Sequence, residues 1–292
     1  APRRTVLDRI LADAAMEAGA RFDFGAAFVG VSRRSGGRVT GGVFRRPDGT
    51  IETIGAGIVV GADGIASTLA RSLEVPTLRA GRHASAVLYA YWEGLGNRGY
   101  EWTWGPGSGT GTIPTNAGES CVFVAVPSAV FGTIAGRPPG EAYLDLLSRH
   151  APALRERLAG ARMTGSVRGF GGRTGHLRQA HGDGWALVGD AGYLKDPLTA
   201  HGITDALRDA ELLADAIAEG PASALERYQE ARDELSMPLF EATDAIASFE
   251  WSLDRLKALH ADLNAAMKAE VAAMGDRFGT ALPARPAMAL AG

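Results

Sequence analysis

The sequence predicts an α/β protein in which strand-to-helix units are interrupted by a sheet of alternating, aromatic-rich strands. Three observations carry that reading. An apolar, β-branched run, Ile58-Val59-Val60, ends in Gly61-Ala62-Asp63-Gly64. A second apolar run, Trp185-Ala186-Leu187-Val188, ends in Gly189-Asp190. Between them, after Pro76, the apolar period changes to two, with Val87, Tyr89 and Tyr91 alternating against Leu88, Ala90 and Trp92. Unbroken short apolar runs suit strands buried on both faces, whereas alternation suits a sheet with two unlike faces.

Each element follows from local chemistry. Thr5 and Asp8 form a variant N-terminal cap for a helix whose Leu7, Ile10, Leu11, Ala14 and Ala18 share one face, and Gly19 ends it. Three strands follow near 26–32, 38–44 and 51–54, separated by the turn signals Ser35-Gly36-Gly37 and Pro47-Asp48-Gly49. At the first strand-to-helix turn, Gly61 and Gly64 let the backbone bend sharply and approach a ligand. Asp63 there accepts hydrogen bonds from ligand hydroxyls or simply caps the next helix, and both readings stay open. Arg71, one to two turns on, either pairs with an anion or is solvated.

The alternating stretch continues through 102–104, 111–114 and 120–127, with a helix around 140–150. The chain then returns to a buried strand at 185–188, closed by Asp190, and a loop with Asp196-Pro197 leads to a helix from about Gly202. In that helix Ile203, Ala206, Leu207, Ala210, Leu213, Ala214 and Ile217 recur at three- and four-residue spacing, which marks them as the inward face. Asp205, Arg208, Asp209, Glu211 and Asp215 populate the other side, and Gly220-Pro221 stops the helix. With no side chain at Gly202, the amides of Gly202, Ile203 and Thr204 stand open at the positive end of the helix dipole, suited to negative charge on a ligand. Helix is expected from Ala222 to about Met274, then a disordered Pro- and Ala-rich tail.

Composition narrows the function. At 292 residues and 46% apolar the chain fills two lobes, and a net charge of -3 argues against a general nucleic-acid binder. One cysteine, Cys121, excludes an intrachain disulfide and any cysteine-cluster metal site, which suits a reducing cytoplasm. No apolar run reaches the length of a membrane span, no signal peptide opens the chain, and no metal ligand set is evident.

In this order the two turns resemble the glutathione-reductase-type FAD fold of class A flavoprotein monooxygenases and their relatives. The DGxxSxxAR motif of that superfamily is matched by Asp63, Gly64, Ser67, Ala70 and Arg71. Its Gly-Asp motif, followed by a proline and a helix-opening glycine, is matched by Gly189, Asp190, Pro197 and Gly202. The resemblance spans most of residues 1–220. It implies that Asp190 binds the ribityl hydroxyls of FAD, that Asp63 lies near the pyrophosphate, and that Pro197 and Gly202 to Thr204 border the isoalloxazine. Where the family often has Gln or Gly before the helix glycine and Asn two residues after it, this chain has His201 and Thr204. The wording from Asp196 to Ile203 is closer to the geranylgeranyl-reductase and halogenase branches.

The implied organisation is an FAD-binding, Rossmann-like domain over 1–78 and 182–220, an inserted antiparallel substrate domain over 79–181, and C-terminal helices and tail over 221–292. Tyr89, Tyr91, Trp102 and Trp104 are the candidate substrate-facing aromatics, each also a good strand and core residue. Trp102-Thr103-Trp104 partly resembles the WxWxIP motif of halogenases, although Gly105-Pro106 follows. The family's opening G-x-G-x-x-G strand and turn has one spacing match, Gly94, Gly96 and Gly99, which leads into strand-like Tyr100-Glu101-Trp102 and is read as chance. About the first hundred residues of a family member are therefore expected upstream of Ala1 or in a separate chain. A homodimer through the helix near Trp251, Leu253 and Leu256 is the other partner expectation.

The remaining polar residues are weighed singly. His201, beside the expected flavin ring, either donates a proton or makes a loop hydrogen bond. His176 and His181 are expected at the surface, and Lys195-Asp196 as a solvated ion pair. Asp145, Ser148 and His150 share one amphipathic helix, and no G-x-S-x-G elbow supports hydrolysis. The resemblance implies an NAD(P)H-dependent FAD monooxygenase acting on a small apolar or aromatic compound. A flavin-dependent isoprenoid reductase, a halogenase, and a non-catalytic fragment or binding module are the alternatives.

Overall fold

The computed structural model describes residues 1–134, 136–220 and 222–278; the expected disordered tail lies outside the described residues. Helix α1 (Arg4–Glu17) opens at Arg3 without a side-chain cap. The expected Thr5–Asp8 cap does not form, because Asp8 instead accepts from Arg4 Nε at 2.7 Å along the helix surface. No residue of α1 is buried. Its start is fastened to the sheet domain instead, with the Arg3 amide on Asn116 Oδ1 at 2.8 Å and the Ala1 ammonium on the Pro114 carbonyl at 2.5 Å.

Strands β1 (Ala27–Arg33), β2 (Val39–Arg45) and β3 (Ile51–Gly55) form the expected antiparallel meander, in that spatial order. Strand β4 (Val59–Gly61), helix α2 (Thr68–Ser72) and strand β5 (Thr77–Ala80) follow. The inserted sheet comprises β6 (Ser85–Glu93), β7 (Glu101–Gly105), β8 (Ser108–Pro114) and β9 (Ser120–Pro127). After helices α3 (Ser128–Ile134), α4 (Pro139–His150) and α5 (Pro152–Arg157), short strands β10 (Arg162–Met163) and β11 (Arg168–Phe170) rejoin β6.

The period-two pattern sorts the two faces of this sheet as expected. Leu88, Ala90, Trp92, Val122, Val124 and Val126 pack on Tyr143, Leu146 and Leu147 of α4. Trp92 Nε1 donates to the Tyr143 hydroxyl at 3.1 Å, which donates to the Val122 carbonyl at 3.1 Å, so both buried polar atoms are satisfied. The opposite face, through Val87, Ala125 and Trp104, meets Leu198 and the two C-terminal helices.

Strands β12 (His176–Arg178), β13 (His181–Gly182), β14 (Trp185–Leu187) and β15 (Tyr193–Leu194) bring the chain back. Strand β14 pairs in parallel with β4, Trp185 opposite Val59 and Leu187 opposite Gly61. This pairing positions the site: two turns 127 positions apart, at Asp63 and Asp190, leave the same end of neighbouring strands. Strand β4 ends the order β13-β14-β4, and Val60 on it is 40% exposed.

Three helices end the described residues: α6 (Gly202–Glu219), α7 (Ala222–Ala247) and α8 (Leu253–Phe278). No helix among the described residues is long and apolar enough to cross a membrane. The expected inward face of α6 is corrected. Asp205, Arg208 and Asp209 are buried with Leu212, Leu213 and Ala216, while Ile203, Leu207 and Ile217 are exposed. The charged face goes inside because its counter-charges are there to meet it.

Candidate functional site

The first turn is built to hold its own helix. Asp63 Oδ2 accepts from the amides of Thr68 at 2.6 Å and Leu69 at 3.2 Å, and Ser67 Oγ accepts from the Ala70 amide at 3.0 Å. Of the two readings of Asp63, capping is the one the geometry displays; its second carboxylate oxygen takes no part in these bonds. Gly64 sits at φ +73°, where a side chain would be strained. Arg71 folds back on the Ala66 carbonyl and on Thr68 Oγ1 at 2.9 Å.

One short segment fastens both turns. Arg173 donates to the Ile65 carbonyl at 3.0 Å, in the first turn, and Arg178 donates to the Ala191 carbonyl at 2.7 Å, in the second. His176 between them is 8% exposed, which corrects its expected surface position. Its Nε2 has no hydrogen-bond partner, and burial together with the Arg178 charge pushes its pKa down to about 4. His181 is half-buried.

The second turn leaves its acid free. Gly189, at φ +54°, starts a 3-10 turn over Gly189–Ala191 and donates its amide to Asp209 Oδ2 at 3.0 Å. The Asp190 carboxylate, half-buried, accepts no hydrogen bond among the described residues. Burial holds its pKa above the usual carboxylate range, Lys195 and Arg4 pull it back, and Asp209 adds to the rise. A Cβ at Gly202 would lie 3.8 Å from Asp190 Oδ1, so the acid adjoins the opening of α6. Gly202, Ile203 and Thr204 are exposed there, as the amide-rich end of an 18-residue helix.

Pro197 begins a 3-10 turn, Pro197–Thr199, that precedes α6. Lys195 and Asp196 are both buried, which corrects the expected solvated pair. Asp196 caps this turn through the Leu198 amide at 3.0 Å and accepts from the amide and hydroxyl of Ser85, each at 2.6 Å. Lys195 instead pairs with Asp205. His201 is buried, with Nε2 at 2.6 Å from Glu270 Oε2 on α8, so a hydrogen bond of the kind the second reading expects is present.

Around these residues lies a buried charge cluster that the sequence reading missed. Arg208 Nη1 reaches Glu270 at 2.7 Å and Asp205 at 3.2 Å, and Nη2 reaches Asp209 at 2.7 Å and Ser236 Oγ at 2.9 Å. Three carboxylates thus face two cations and the His201 ring. Burial raises the Glu270 carboxyl, but its bond to His201 and the Arg208 charge outweigh that and hold it below the usual range. Burial and the Arg208 charge push Lys195 down to about 7. A signal for the cluster exists, since Asp205, Arg208 and Asp209 lie at i, i+3 and i+4 on one helix face.

The four aromatic candidates share the sheet face that meets Leu198 and the last two helices. Tyr89 and Tyr91 meet edge to face at 6.0 Å between ring centroids, and Trp102 lies 4.8 Å from Phe123. Trp104 packs against Trp251 at 6.1 Å and His260 at 5.2 Å. Register sets Trp102, Gly111, Phe123 and Tyr89 in one row across four strands. A Cβ on Gly111 would stand 2.9 Å from the Phe123 ring, so the missing side chain is what lets the rings lie over the strand. The Arg3 guanidinium sits 3.9 Å over the Tyr91 ring and pairs with Glu119 at 2.5 Å.

Two turns at the carboxyl ends of adjacent parallel strands, one with an acid that accepts no hydrogen bond beside an exposed helix start, are the arrangement in which α/β proteins place ligands. The chain belongs to the FAD binding domain family, whose sequence profile matches residues 3–243. A digeranylgeranylglycerophospholipid reductase of Methanothrix thermoacetophila is 30% identical over 227 residues, 74% of this chain and 55% of that protein. Digeranylgeranylglycerophospholipid reductase 1 of Methanopyrus kandleri is 30% identical over 278 residues, 86% of this chain and 68% of that protein. This chain therefore matches little more than half the length of the first of these relatives.

Solved structures share the fold. The flavin-dependent brominase Bmp2 superposes with a TM-score of 0.73 at 17% identity, covering 95% of this chain and 76% of that one. PqsL from Pseudomonas aeruginosa, a probable FAD-dependent monooxygenase, gives 0.66 at 21% identity, covering 87% and 71%. The described residues fit FAD at the second turn, where Asp190 has unspent hydrogen-bonding capacity and the α6 amides are open.

Proposed function

We propose that this chain holds the flavin and the substrate of an FAD-dependent oxidoreductase, with NAD(P)H as reductant and hydroxylation of a small apolar or aromatic compound as the reaction. The observation that carries the reading is Asp190, a half-buried carboxylate without a hydrogen bond, next to the exposed start of α6. A half-buried carboxylate without a hydrogen bond costs stability, and ligand hydroxyls would offset that cost. FAD, when bound, supplies the redox chemistry.

The chain's own residues supply position and environment. Asp190 would orient the ribityl chain, and the amides of Gly202, Ile203 and Thr204 would stabilise negative charge on the ring through the helix dipole. Pro197 would border that ring, and Asp63, already capping α2, would turn its second oxygen toward the pyrophosphate end. The face bearing Tyr89, Tyr91, Trp102 and Trp104 offers rings with few ionised groups, which suits an apolar or planar substrate and keeps water away.

The outer edge of β4 would take a further parallel strand with a Gly-rich phosphate turn, from upstream sequence or from a separate chain. Its place at the end of the strand order and the exposed Val60 support that reading, because parallel sheets are normally covered on both faces. A homodimer through the C-terminal helices is the competing assembly. The single Cys121 fits a reducing compartment such as the cytoplasm.

Reduction of an isoprenoid double bond is the second reading, favoured by the two 30%-identical reductases. Product analysis with NAD(P)H, aerobically and anaerobically, separates them. Hydroxylated product that requires oxygen supports the first, and saturated isoprenoid product formed without oxygen replaces it with the second.

A further inference from the structure

The buried charges beside the site are wired in a specific way. Asp209 Oδ2 holds the amide of Gly189 at 3.0 Å, and so the turn that carries Asp190. Its other oxygen receives Nε and Nη2 of Arg208 at 3.0 and 2.7 Å. From Nη1 the same guanidinium reaches Glu270 Oε1 at 2.7 Å, and Glu270 Oε2 meets the His201 ring at 2.6 Å. His201 is the residue that leads into Gly202. One guanidinium thus stands between two carboxylates, and each carboxylate has its second oxygen on a different turn of the crevice.

Chemistry makes this chain of bonds stiff. A guanidinium is planar, permanently charged and fixed in the angle between its donors, so moving one carboxylate drags the other. Side-chain exposures of 2% for Arg208, 0% for Asp209 and 2% for Glu270 leave little water to compete for these bonds, and bonds in series polarise one another where the dielectric is low. The ligand atoms of His201, Asp205 and Glu270 lie within 4.8 Å of one another, the spacing of a metal site, but Lys195 and Arg208 already bring the positive charge those oxygens need.

We propose that Arg208 and Glu270 are positioning residues that, through Asp209 and His201, set the separation between the Gly189–Asp190 turn and the opening of α6. Helix α8, beyond the family match that ends at residue 243, is thereby part of the crevice. The inference rests on the proposed reading that both turns face FAD.

Nuclear magnetic resonance of the unliganded protein tests the coupling without the cofactor. In Glu270→Gln the amide signal of Gly189 shifts along with the ring nitrogens of His201, and in Asp209→Asn the His201 ring signals shift along with the Gly189 amide. Substitutions that each move only their immediate partner overturn the proposal. Should Glu270→Gln fail to fold, Arg208→Lys, which keeps a cation but loses the fork, must move both signals; a folded variant that moves one or neither overturns it. With FAD, titration by flavin fluorescence is expected to show affinity about tenfold weaker in Glu270→Gln, with a displaced visible absorption band, although Glu270 lies behind His201. Unchanged affinity and spectrum in the folded variant overturn the link to the crevice. If wild-type protein binds no FAD, the reading of the site fails, and the resonance shifts alone decide the coupling.

Discussion

Replacing Asp190 with Asn is expected to raise the melting temperature of the unliganded protein while weakening its grip on FAD. The opposite signs come from the same feature. Asp190 accepts no hydrogen bond among the described residues, so Asn forfeits none. Burial raises its carboxyl pKa, so the folded state binds that proton more tightly than the unfolded state does. Stability therefore falls as pH rises through the raised value, and at neutral pH the ionised group is a net cost. Lys195 and Arg4 offset part of it, and the group is only half-buried, so the relief is at most on the order of 1 kcal/mol, the ceiling for a partly screened charge. In a protein of this size that is about 2 °C. Binding goes the other way: a lost charge-assisted hydrogen bond costs about 1.5–3 kcal/mol, or roughly 10- to 150-fold in Kd, with Asn near the lower end and Ala near the upper. Differential scanning fluorimetry without FAD and flavin-fluorescence titration read the two effects. A lower melting temperature, or an unchanged Kd, refutes the reasoning.

Three further expectations follow from single residues. Asp63→Ala removes the acceptor for the Thr68 and Leu69 amides and costs about 1 kcal/mol, whereas Asp63→Asn loses less; equal unfolding midpoints in urea for Ala and wild type would contradict the cap. His176, held neutral at a pKa of about 4, binds fewer protons folded than unfolded between pH 6.5 and 4, so stability falls on acidification through that window, by about 2 kcal/mol once screening is allowed for. His176→Leu should flatten that slope, and an unaltered slope would show that other groups cause it. Burial pushes the Cys121 thiol up to about 11, so iodoacetamide should label it slowly at pH 8 and much faster above pH 10. Labelling at pH 8 at the rate of a free thiol counts against that environment.

How much was legible depends on the distance over which each interaction acts. The meander, the sheet strands and both turns follow from residues within about ten positions of each other, and they stand where local patterning puts them. The two turns also declare their acids, because a glycine, an acid and a helix start fall within a few residues. That β4 and β14 are neighbours and parallel comes only with the fold. So does the cluster around Arg208: its partner Glu270 is 62 positions away, and a charge is buried only where its counter-charge arrives with it. His176, Lys195 and Asp196 look like surface residues for the same reason, each being polar in sequence and enclosed by distant segments in space.

Helix α6 shows what periodicity does measure. Its apolar strip is real, yet Leu207 is 51% exposed while Arg208 beneath it is 3% exposed. An apolar stripe states which face gains free energy from cover, about 25 cal/mol for each Å² removed from water, without saying what covers it. Leu207 lines a cleft of about 410 Å³ with Val271 and Met274, and Ile203 lies one turn before it on the same helix. On the reading proposed above, a strand added to β4 and the helix following it would form a layer over this side of the fold. The inverted exposure of α6 and the open edge of β4 would then have one cause, and adding that layer should protect Leu207 and Val60 together. Hydrogen exchange on a longer chain that slowed the β4 amides and left the α6 amides unchanged would separate the two and remove the common explanation.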